Sequence, residues 1–525
     1  MTQEPVWLKT MLDPKTYPHH VDEVRLIQTH ISWVFLAGEK VYKVKKPIDF
    51  GFLDFTTLEK RRRFCLEELR LNRRLAPEIY LDVQPVTSEG DRISLNGKGE
   101  PVEWAVVMAR MPDPGMMARL IDMDALGEDE IDMIVRRLVP FYKNADSGDQ
   151  VNRFGDIGTI IQNTEENFEQ TAPFLGKIID KQTYNHIVRY TRSFIAEGGD
   201  TFKQRVIEGR IREGHGDLYS ANICFDKKKN KVYIFDCIEF NERFRYGDIA
   251  SDVAFLAMDL DYQGLPGLSN RFVRAFSKGM EDIGLAGVLD FYKCYRAYVR
   301  GKIGCFTWAA EGVEKDVRKS AGDQARQYFR LALRYAKGVK RPVLYVFFGP
   351  SGSGKSALSS SWADAHCMPV YNSDRVRKET VLKIPPDERH IEPMGEGIYN
   401  PEITKRTYRA LARLGARHLM QGESAALDAT YKDKGERARL TEAAREAGAD
   451  IRFILCTCPE DEIRRRLLER AGKEGQVSDG RWEVYLAQKG AFTTDALSDI
   501  EFYPLSTDRT MDALVAELDE RVKQP

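Results

Sequence analysis

Up to about residue 110 the hydrophobic and polar positions alternate with the period of strands, and beyond it they take the period of helices. Ser32 to Ala37 reads as a strand, Gly38-Glu39 as a turn, and Lys40 to Lys45 as a second strand. In that second strand Tyr42 and Val44 share one face, and Lys43 and Lys45 share the other. One helix is expected near residues 57 to 75, followed by a strand over Glu103 to Met108. From Met111 to about residue 338 the pattern is mostly helical, as with Ile131, Ile134, Val135 and Leu138 at i, i+3, i+4 and i+7. The pattern breaks at Gly338-Val339-Lys340-Arg341-Pro342, and Val343 to Phe348 then form an unbroken apolar run. Strand-like runs at 343–348, 424–428 and 451–457 alternate with helical stretches, which predicts βαβ units and a parallel sheet. The expected division is a first domain over 1–338, with a β-rich lobe to about 110 and a helical lobe over 111–338, and a second domain over 339–525.

Composition fits that picture. A chain of 525 residues with 42% apolar, 30% charged and 10% aromatic residues is globular rather than disordered, and too long for one core. Lys plus Arg (79) and Asp plus Glu (80) nearly cancel, which excludes a global field for coating nucleic acid or a membrane surface. Met1 to Thr10 carries an acidic residue and no apolar stretch of signal-peptide length, and no later run approaches the ~18 apolar residues of a membrane span. The expectation is a cytoplasmic protein that engages no membrane and needs no obligate protein partner. The eight cysteines are scattered through apolar segments, which suits reduced thiols.

Two stretches carry chemistry. In the first, His215-Gly216-Asp217 is followed by Asn222 on the same loop, and Asp236 ends the next hairpin strand. Three oxygen-bearing side chains can thus aim at one point. Phosphoryl transfer in kinase-like enzymes needs such a set: a carboxylate near the acceptor hydroxyl, and an Asn and an Asp to hold Mg2+ on the nucleotide phosphates. The plain alternative is a polar hairpin in which Asp217 caps a turn. Upstream, either Lys43 or Lys45 can reach a phosphate; the hydrophobic-x-hydrophobic-Lys pattern favours Lys45, with Lys43 as the alternative. Glu68 falls on one helical stripe with Leu71 and Leu75, and a carboxylate there needs a buried cation such as Lys45.

Residues from about 30 to 300 resemble the aminoglycoside phosphotransferase and choline kinase branch of the protein-kinase-like fold. The resemblance rests on Lys45, Glu68, the hinge-like Met108-Ala109-Arg110-Met111, His215-Gly216-Asp217 with Asn222, Asp236, and Tyr246 to Asp252. It implies a two-lobed α+β domain in which Asp217 is the catalytic base, Asn222 and Asp236 bind Mg2+, and aspartates of the 246–252 segment support the catalytic loop. The chain departs from the family in having no G-x-G-x-x-G loop before Lys45, and in carrying Cys237-Ile238-Glu239 after the metal Asp.

In the second stretch, Gly349-Pro350-Ser351-Gly352-Ser353-Gly354-Lys355-Ser356 fits G-x-x-x-x-G-K-[ST] and directly follows an apolar strand. Its glycines let backbone N–H groups wrap ATP phosphates, Lys355 neutralises them, and the Ser356 hydroxyl reaches Mg2+. Asp374 should lie at the carboxyl end of the next strand, where a carboxylate can accept a proton from an acceptor hydroxyl and Arg377 can hold an acceptor anion. The bland reading is an N-capping Asp and a solvated Arg. Asp428 ends another apolar strand and is placed to orient Mg2+ or the loop. Arg466 and Arg470 lie on a helix ahead of the Gly-rich segment Ala471 to Gly480, as in an arginine-bearing lid, although a solvated basic face has the same pattern.

Residues 342 to 520 resemble the P-loop kinases that include polynucleotide 5′-hydroxyl kinases, zeta-type toxins and gluconate kinase, and chains of this pattern are often labelled AAA-type ATPases. The motifs are Gly349 to Ser356, Asp374 with Arg377, Leu427-Asp428-Ala429-Thr430, and the arginines at 466 and 470. The resemblance implies an α/β P-loop NTPase domain, its parallel sheet flanked by helices, with Asp374 as acceptor base and Arg377 as clamp for an acceptor phosphate. The combined expectation is a bifunctional ATP-dependent phosphotransferase acting on hydroxyl-bearing acceptors, the C-terminal domain leaning toward nucleotides or nucleic-acid 5′-hydroxyl ends. Two alternatives stand beside it: a sugar or antibiotic kinase, and a nucleotide-regulated binding protein in which one kinase-like domain is inert.

Overall fold

A computed structural model of the full chain describes residues 5–90, 92–310, 312–337, 342–366, 368–388, 390, 395–471, 481–493 and 495–522. The chain divides into two compact units. The first comprises Met1–Ala172, Thr191–Leu256 and Arg271–Arg296, and the second comprises Pro173–Tyr190, Ala257–Asn270 and Ala297–Pro525.

The first unit opens on strands β1 (Val24–Gln28), β2 (Ser32–Ala37) and β3 (Lys40–Lys45), then helix α1 (Leu58–Asn72), then β4 (Tyr80–Glu89), β5 (Arg92–Leu95) and β6 (Glu100–Ala109). These form an antiparallel six-stranded sheet in the order β1-β2-β3-β6-β4-β5. The period-two pattern assigns its faces. Trp33, Phe35, Tyr42, Val44 and Val107 pack on one side around Trp7 and Met11. Val41, Val106 and Met108 face the other side with Cys65 of α1, Ile79 and Tyr80. Lys43 and Lys45 share that second side, so the alternation itself carries both lysines toward α1. Thr57 caps α1 by accepting the Lys60 N–H at 3.2 Å, which starts the helix where the sequence pattern placed it. The three residues Thr29, His30 and Ile31 join β1 to β2 with no glycine among them.

Further along, β7 (Ile223–Asp226) and β8 (Lys231–Ile234) form a hairpin whose turn puts Asn230 at φ 51°. Ile211–Glu213 pairs antiparallel with Tyr246–Asp248, which brings the segment before His215 beside the one that leads to Asp252.

The second unit is built on a parallel sheet. Among the described residues it has five strands: β9 (Val343–Phe348), β10 (Val370–Asn372), β11 (Ala425–Asp428), β12 (Asp450–Thr457) and β13 (Phe502–Ser506), in the order β10-β11-β9-β12-β13. The apolar run 343–348 is the central strand, buried on both faces, which is why it shows no alternation. Register sets Asp428 level with Phe347 on one neighbour and with Asn372 on the other. Helix α2 (Lys355–Ala365) packs Trp362 against Tyr345 and Phe347.

Residues 338–341 of the expected boundary lie outside the described residues. The helix Lys315–Lys337, read from sequence as the end of the first domain, falls in the second unit. There the Arg334 guanidinium donates to the carbonyls of Leu419 and Ala447, and Arg330 pairs with Glu423 at 3.2 Å. Among the described residues no helix is long and apolar enough to cross a membrane.

Candidate functional site

Each unit gathers its own set of the residues singled out above. In the first, Lys43 Nζ lies 2.9 Å from Glu68 Oε1 and 2.5 Å from Asp236 Oδ1. Lys45 Nζ lies 2.6 Å from Glu68 Oε2 and also pairs with Glu239. Glu68 therefore bridges both lysines, while the lysine that meets Asp236 is Lys43. Lys45, favoured by the sequence pattern for a phosphate, is wholly buried between two carboxylates and the Phe55 ring, 4.9 Å away. Register separates them: Lys43 lies within the strand opposite Val106, while Lys45 ends the strand and meets Glu239 from the loop after Asp236. Burial opposes the charge on Lys43, but Asp236 and Glu68 outweigh it and hold the ammonium well above its usual range. Burial likewise works against Glu68, and the two lysines overcome it to hold this carboxyl low, near 2.

Asp236 adopts φ 61°, a left-handed conformation that is uncommon for a residue with a Cβ. Neighbouring backbone groups are tied down around it. The Asp236 N–H donates to Tyr80 Oη at 3.2 Å and the Cys237 N–H to Asn72 Oδ1 at 2.9 Å. Asn72 stands one helical turn after Glu68, so α1 grips the lysines with one side chain and the 236–237 backbone with the next.

On the preceding loop, Asn222 Nδ2 donates to Asp217 Oδ2 and to its carbonyl, both at 2.9 Å. The Phe235 N–H donates to the Asn222 carbonyl at 3.0 Å, which brings the loop alongside the strand end that carries Asp236. Asp252 organises the loop from below. Its carboxylate accepts the His215 N–H at 2.6 Å, the Gly216 N–H at 3.0 Å and the Tyr142 hydroxyl at 2.8 Å, and it pairs with Arg296 at 3.3 Å. Gly216 needs its glycine: φ is +82° and a Cβ would come 2.6 Å from the Phe244 carbonyl. His215 is buried, which pushes its imidazole down to about 4; neutral at Nδ1, it accepts the Asp217 N–H at 3.3 Å.

In the second unit the glycine loop leads from β9 into α2. Gly354 has φ +84°, and a Cβ there would meet Thr507 Oγ1 at 2.6 Å and Arg466 Nη1 at 2.9 Å. The loop is pinned from outside by the Thr507 hydroxyl, which donates to the Ser353 carbonyl at 2.7 Å. Lys355 Nζ donates to the Pro350 carbonyl at 2.9 Å, across the loop it closes. The Ser351 N–H donates to Gln488 Oε1 at 3.0 Å. At the head of α2, Asn372 Nδ2 reaches Ser356 Oγ at 3.3 Å and Asp428 Oδ2 at 2.7 Å. Asp428 Oδ1 is buried with no hydrogen-bond partner, and burial raises this carboxyl above its usual range despite Lys355 nearby. An orphaned carboxylate oxygen beside a serine hydroxyl at the mouth of a P-loop fits a divalent cation.

Asp374 follows β10, where the Asn372 side chain caps the turn by accepting the Asp374 N–H at 3.0 Å. Arg377 Nη1 donates to Asp374 Oδ1 at 2.9 Å, its guanidinium stacks on Tyr399 at 4.5 Å, and its Nε is buried with no partner. The two side chains do share one side, as expected, but they are ion-paired with each other. Seven residues from Val376 to Leu382 continue as a π-helical turn, a geometry frequent at functional sites. Arg466 lies on α3 (Glu460–Ala471), donates to both Thr507 Oγ1 (3.0 Å) and the Thr507 carbonyl (2.7 Å), and pairs with Glu462 at 2.7 Å. It is therefore neither a solvated face nor a free finger, but a brace behind Gly354. The Arg470 side chain and residues 472–480 of the expected lid lie outside the described residues.

Sequence reasoning missed three members of these sets. Glu239 was visible only as a departure from a pattern, Asn372 was given no role, the capping reading having fallen on Asp374, and Thr507 had no local signal at all, since it arrives from the far edge of the sheet.

Residues 344–494, within the second unit, match the model of a family described as an AAA domain. The chain is 29% identical over 449 residues to uncharacterised proteins of Mycobacterium bovis and Mycobacterium tuberculosis, spanning 85% of this chain and 86% of theirs. Among solved structures, a choline/ethanolamine kinase family protein from Mesorhizobium loti is similar at 10% identity, covering 63% of this chain and 99% of its own, with a TM-score of 0.38. A GDP complex of aminoglycoside 2′-phosphotransferase-IIIa is similar at 12% identity, covering 62% of this chain and 99% of its own, with a TM-score of 0.36. A gluconokinase from Sinorhizobium meliloti is similar at 18% identity, covering 35% of this chain and 97% of its own, with a TM-score of 0.23.

Proposed function

We propose that this chain transfers the γ-phosphoryl group of ATP to hydroxyl acceptors at two separate centres, one in each unit. The observation that carries the reading is the cluster at the P-loop mouth: Ser356, Asn372 and a buried Asp428 with one unpartnered oxygen, beside a glycine loop that admits no Cβ at 354. In that centre the loop amides and Lys355 hold the phosphates, and Ser356 and Asp428 hold Mg2+. Bound there, the cation neutralises charge on the phosphate oxygens. Asp374 takes the acceptor proton as the new O–P bond forms and the bond to ADP breaks, and Arg377 fixes its carboxylate from the Oδ1 side. In the first unit Asp217 has the same task, Asn222 and Asp236 hold the metal, and Lys43 serves the phosphates.

The unpartnered Arg377 Nε supports an acceptor with phosphate close to its hydroxyl, a nucleotide or the 5′-hydroxyl end of a polynucleotide. The ion pair of Arg377 with Asp374 favours the second reading, a sugar or antibiotic acceptor, because it already engages the guanidinium. A third reading, in which the first unit binds nucleotide only to regulate, draws on the glycine-free β1–β2 turn and the closed Lys43–Asp236 pair. The test is an acceptor screen with γ-labelled ATP on the full chain and on its Lys355→Ala and Asp217→Asn variants, over 5′-hydroxyl oligonucleotides, nucleosides, sugars and aminoglycosides. Transfer to any acceptor that one variant removes assigns that acceptor to one unit. No transfer to any hydroxyl, with ATP binding intact, overturns the phosphotransferase reading.

A further inference from the structure

We propose that Lys45 and Glu239 form a buried staple that positions the lysine pair, leaving Lys43 as the residue presented to the nucleotide; Glu239 is then a positioning residue of the first centre. The inference rests on reading that centre as a nucleotide site. Three carboxylates surround two ammonium groups in one line: Glu239, Lys45, Glu68, Lys43, Asp236. Each oxygen of Glu68 takes a different lysine, Oε1 at 2.9 Å from Lys43 and Oε2 at 2.6 Å from Lys45. With a single partner Glu68 could swing between them. Glu239 on the far side of Lys45 removes that freedom, because Lys45 is then held from both ends and keeps Glu68 Oε1 aimed at Lys43.

Placement separates the two lysines by role. Lys45 is wholly buried and has no route to a ligand, whereas the Lys43 side chain keeps 12% of its surface and already touches Asp236, itself 44% exposed at the side chain. Glu239 lies three residues beyond Asp236 on the same loop, so the staple also ties that loop to β3 next to the strained φ of Asp236. Taking away Lys45 alone leaves Glu68 and Glu239 buried with Lys43 as their one cation, and draws Lys43 inward. Taking away both members removes charge in balance and so spares the fold, but it frees Glu68 from Lys45 and loosens its aim at Lys43.

The test is a double-variant cycle in the full chain carrying Lys355→Ala, which silences the second nucleotide site. Lys43→Met, Lys45→Met, Glu239→Gln and the Lys45→Met/Glu239→Gln pair are compared by calorimetric titration with Mg2+ and a non-hydrolysable ATP analogue, and by thermal melting. Lys43→Met is expected to weaken nucleotide binding about tenfold or more, Lys45→Met to lower both binding and melting, and the double variant to recover most of the melting but not the binding relative to Lys45→Met. A double variant that melts like the parent and also binds nucleotide as tightly as the parent overturns the positioning role. Additive melting shifts, with no recovery, overturn the pairing itself. If the parent binds no nucleotide, the reading of the first centre fails instead, and the melting cycle still decides whether Lys45 and Glu239 act as a pair.

Discussion

His215 and Asp428 are both buried titratable groups, and their environments push stability in opposite directions with pH. The His215 imidazole is held near 4 against an ordinary 6.5, so its contribution is fully present above pH 6.5 and is lost as pH falls toward 4. Acidification should cost the first unit on the order of 3 kcal/mol over that window. His215→Asn keeps an acceptor for the Asp217 N–H and removes the titration, so the acid midpoint of unfolding, followed by circular dichroism, should move to lower pH. Asp428 is shifted upward by burial, so its favourable contribution belongs to the protonated form and is lost as pH rises through the folded value. The charged form therefore costs the metal-free fold. Asp428→Asn should raise the metal-free melting temperature by about 2 °C or more and abolish the further rise produced by Mg2+ with nucleotide. Differential scanning calorimetry with and without Mg2+ checks both halves. At this scale the sequence singles out Asp217, Asn222, Asp236, Lys355, Ser356 and Asp428 as candidates, because each sits in a short motif. It could not rank Lys43 against Lys45: both share one face, and only strand register and the distant Glu239 separate them.

Elements act here by gripping one another's backbone. Asp252, at the start of the helix Ile249–Tyr262, holds two consecutive amides of the 215–217 loop with one carboxylate. Charge-assisted bonds of this kind contribute ~1.5–3 kcal/mol, and Asp252→Asn turns part of that acceptor into a donor. Hydrogen exchange at His215 and Gly216 should accelerate and first-centre turnover should fall about a hundredfold, while nucleotide affinity changes little. In the second unit, Gly354→Ala meets Thr507 and Arg466 on one side and an unfavourable φ on the other. It should abolish ATP binding by the P-loop, read by titration as the loss of one of two sites in the full chain, while the sheet stays folded by circular dichroism. The central strand, the glycine loop and the helix after it were legible because they are contiguous. Arg466 reads as a lid residue from its helix alone, whereas its partner Thr507 comes from beyond β13, forty-one positions later.

For the whole molecule, the expected order of a β-rich region, a helical region and a parallel sheet matches the elements found, and the pattern breaks fall near their ends. What the period of side chains could not reveal is which helices share a compact unit, since Lys315–Lys337 is amphipathic whichever neighbour it packs on. If each unit carries its own centre, as proposed, the two should behave additively. Lys355→Ala and Asp217→Asn are each expected to remove one component of γ-phosphate transfer and leave the other within about twofold, measured in one labelling assay on the full chain. With a net charge of -1 the molecule offers no long electrostatic footprint, so any nucleic-acid end should bind with a shallow dependence on salt. Finally, Asp428 stands level with Phe347 and Asn372 across three adjoining strands, and side chains along a strand alternate. The chain can accordingly gain or lose length in its connections over evolutionary time, but one codon inserted or deleted between Ala425 and Asp428 turns the carboxylate to the opposite face and leaves a folded, silent protein.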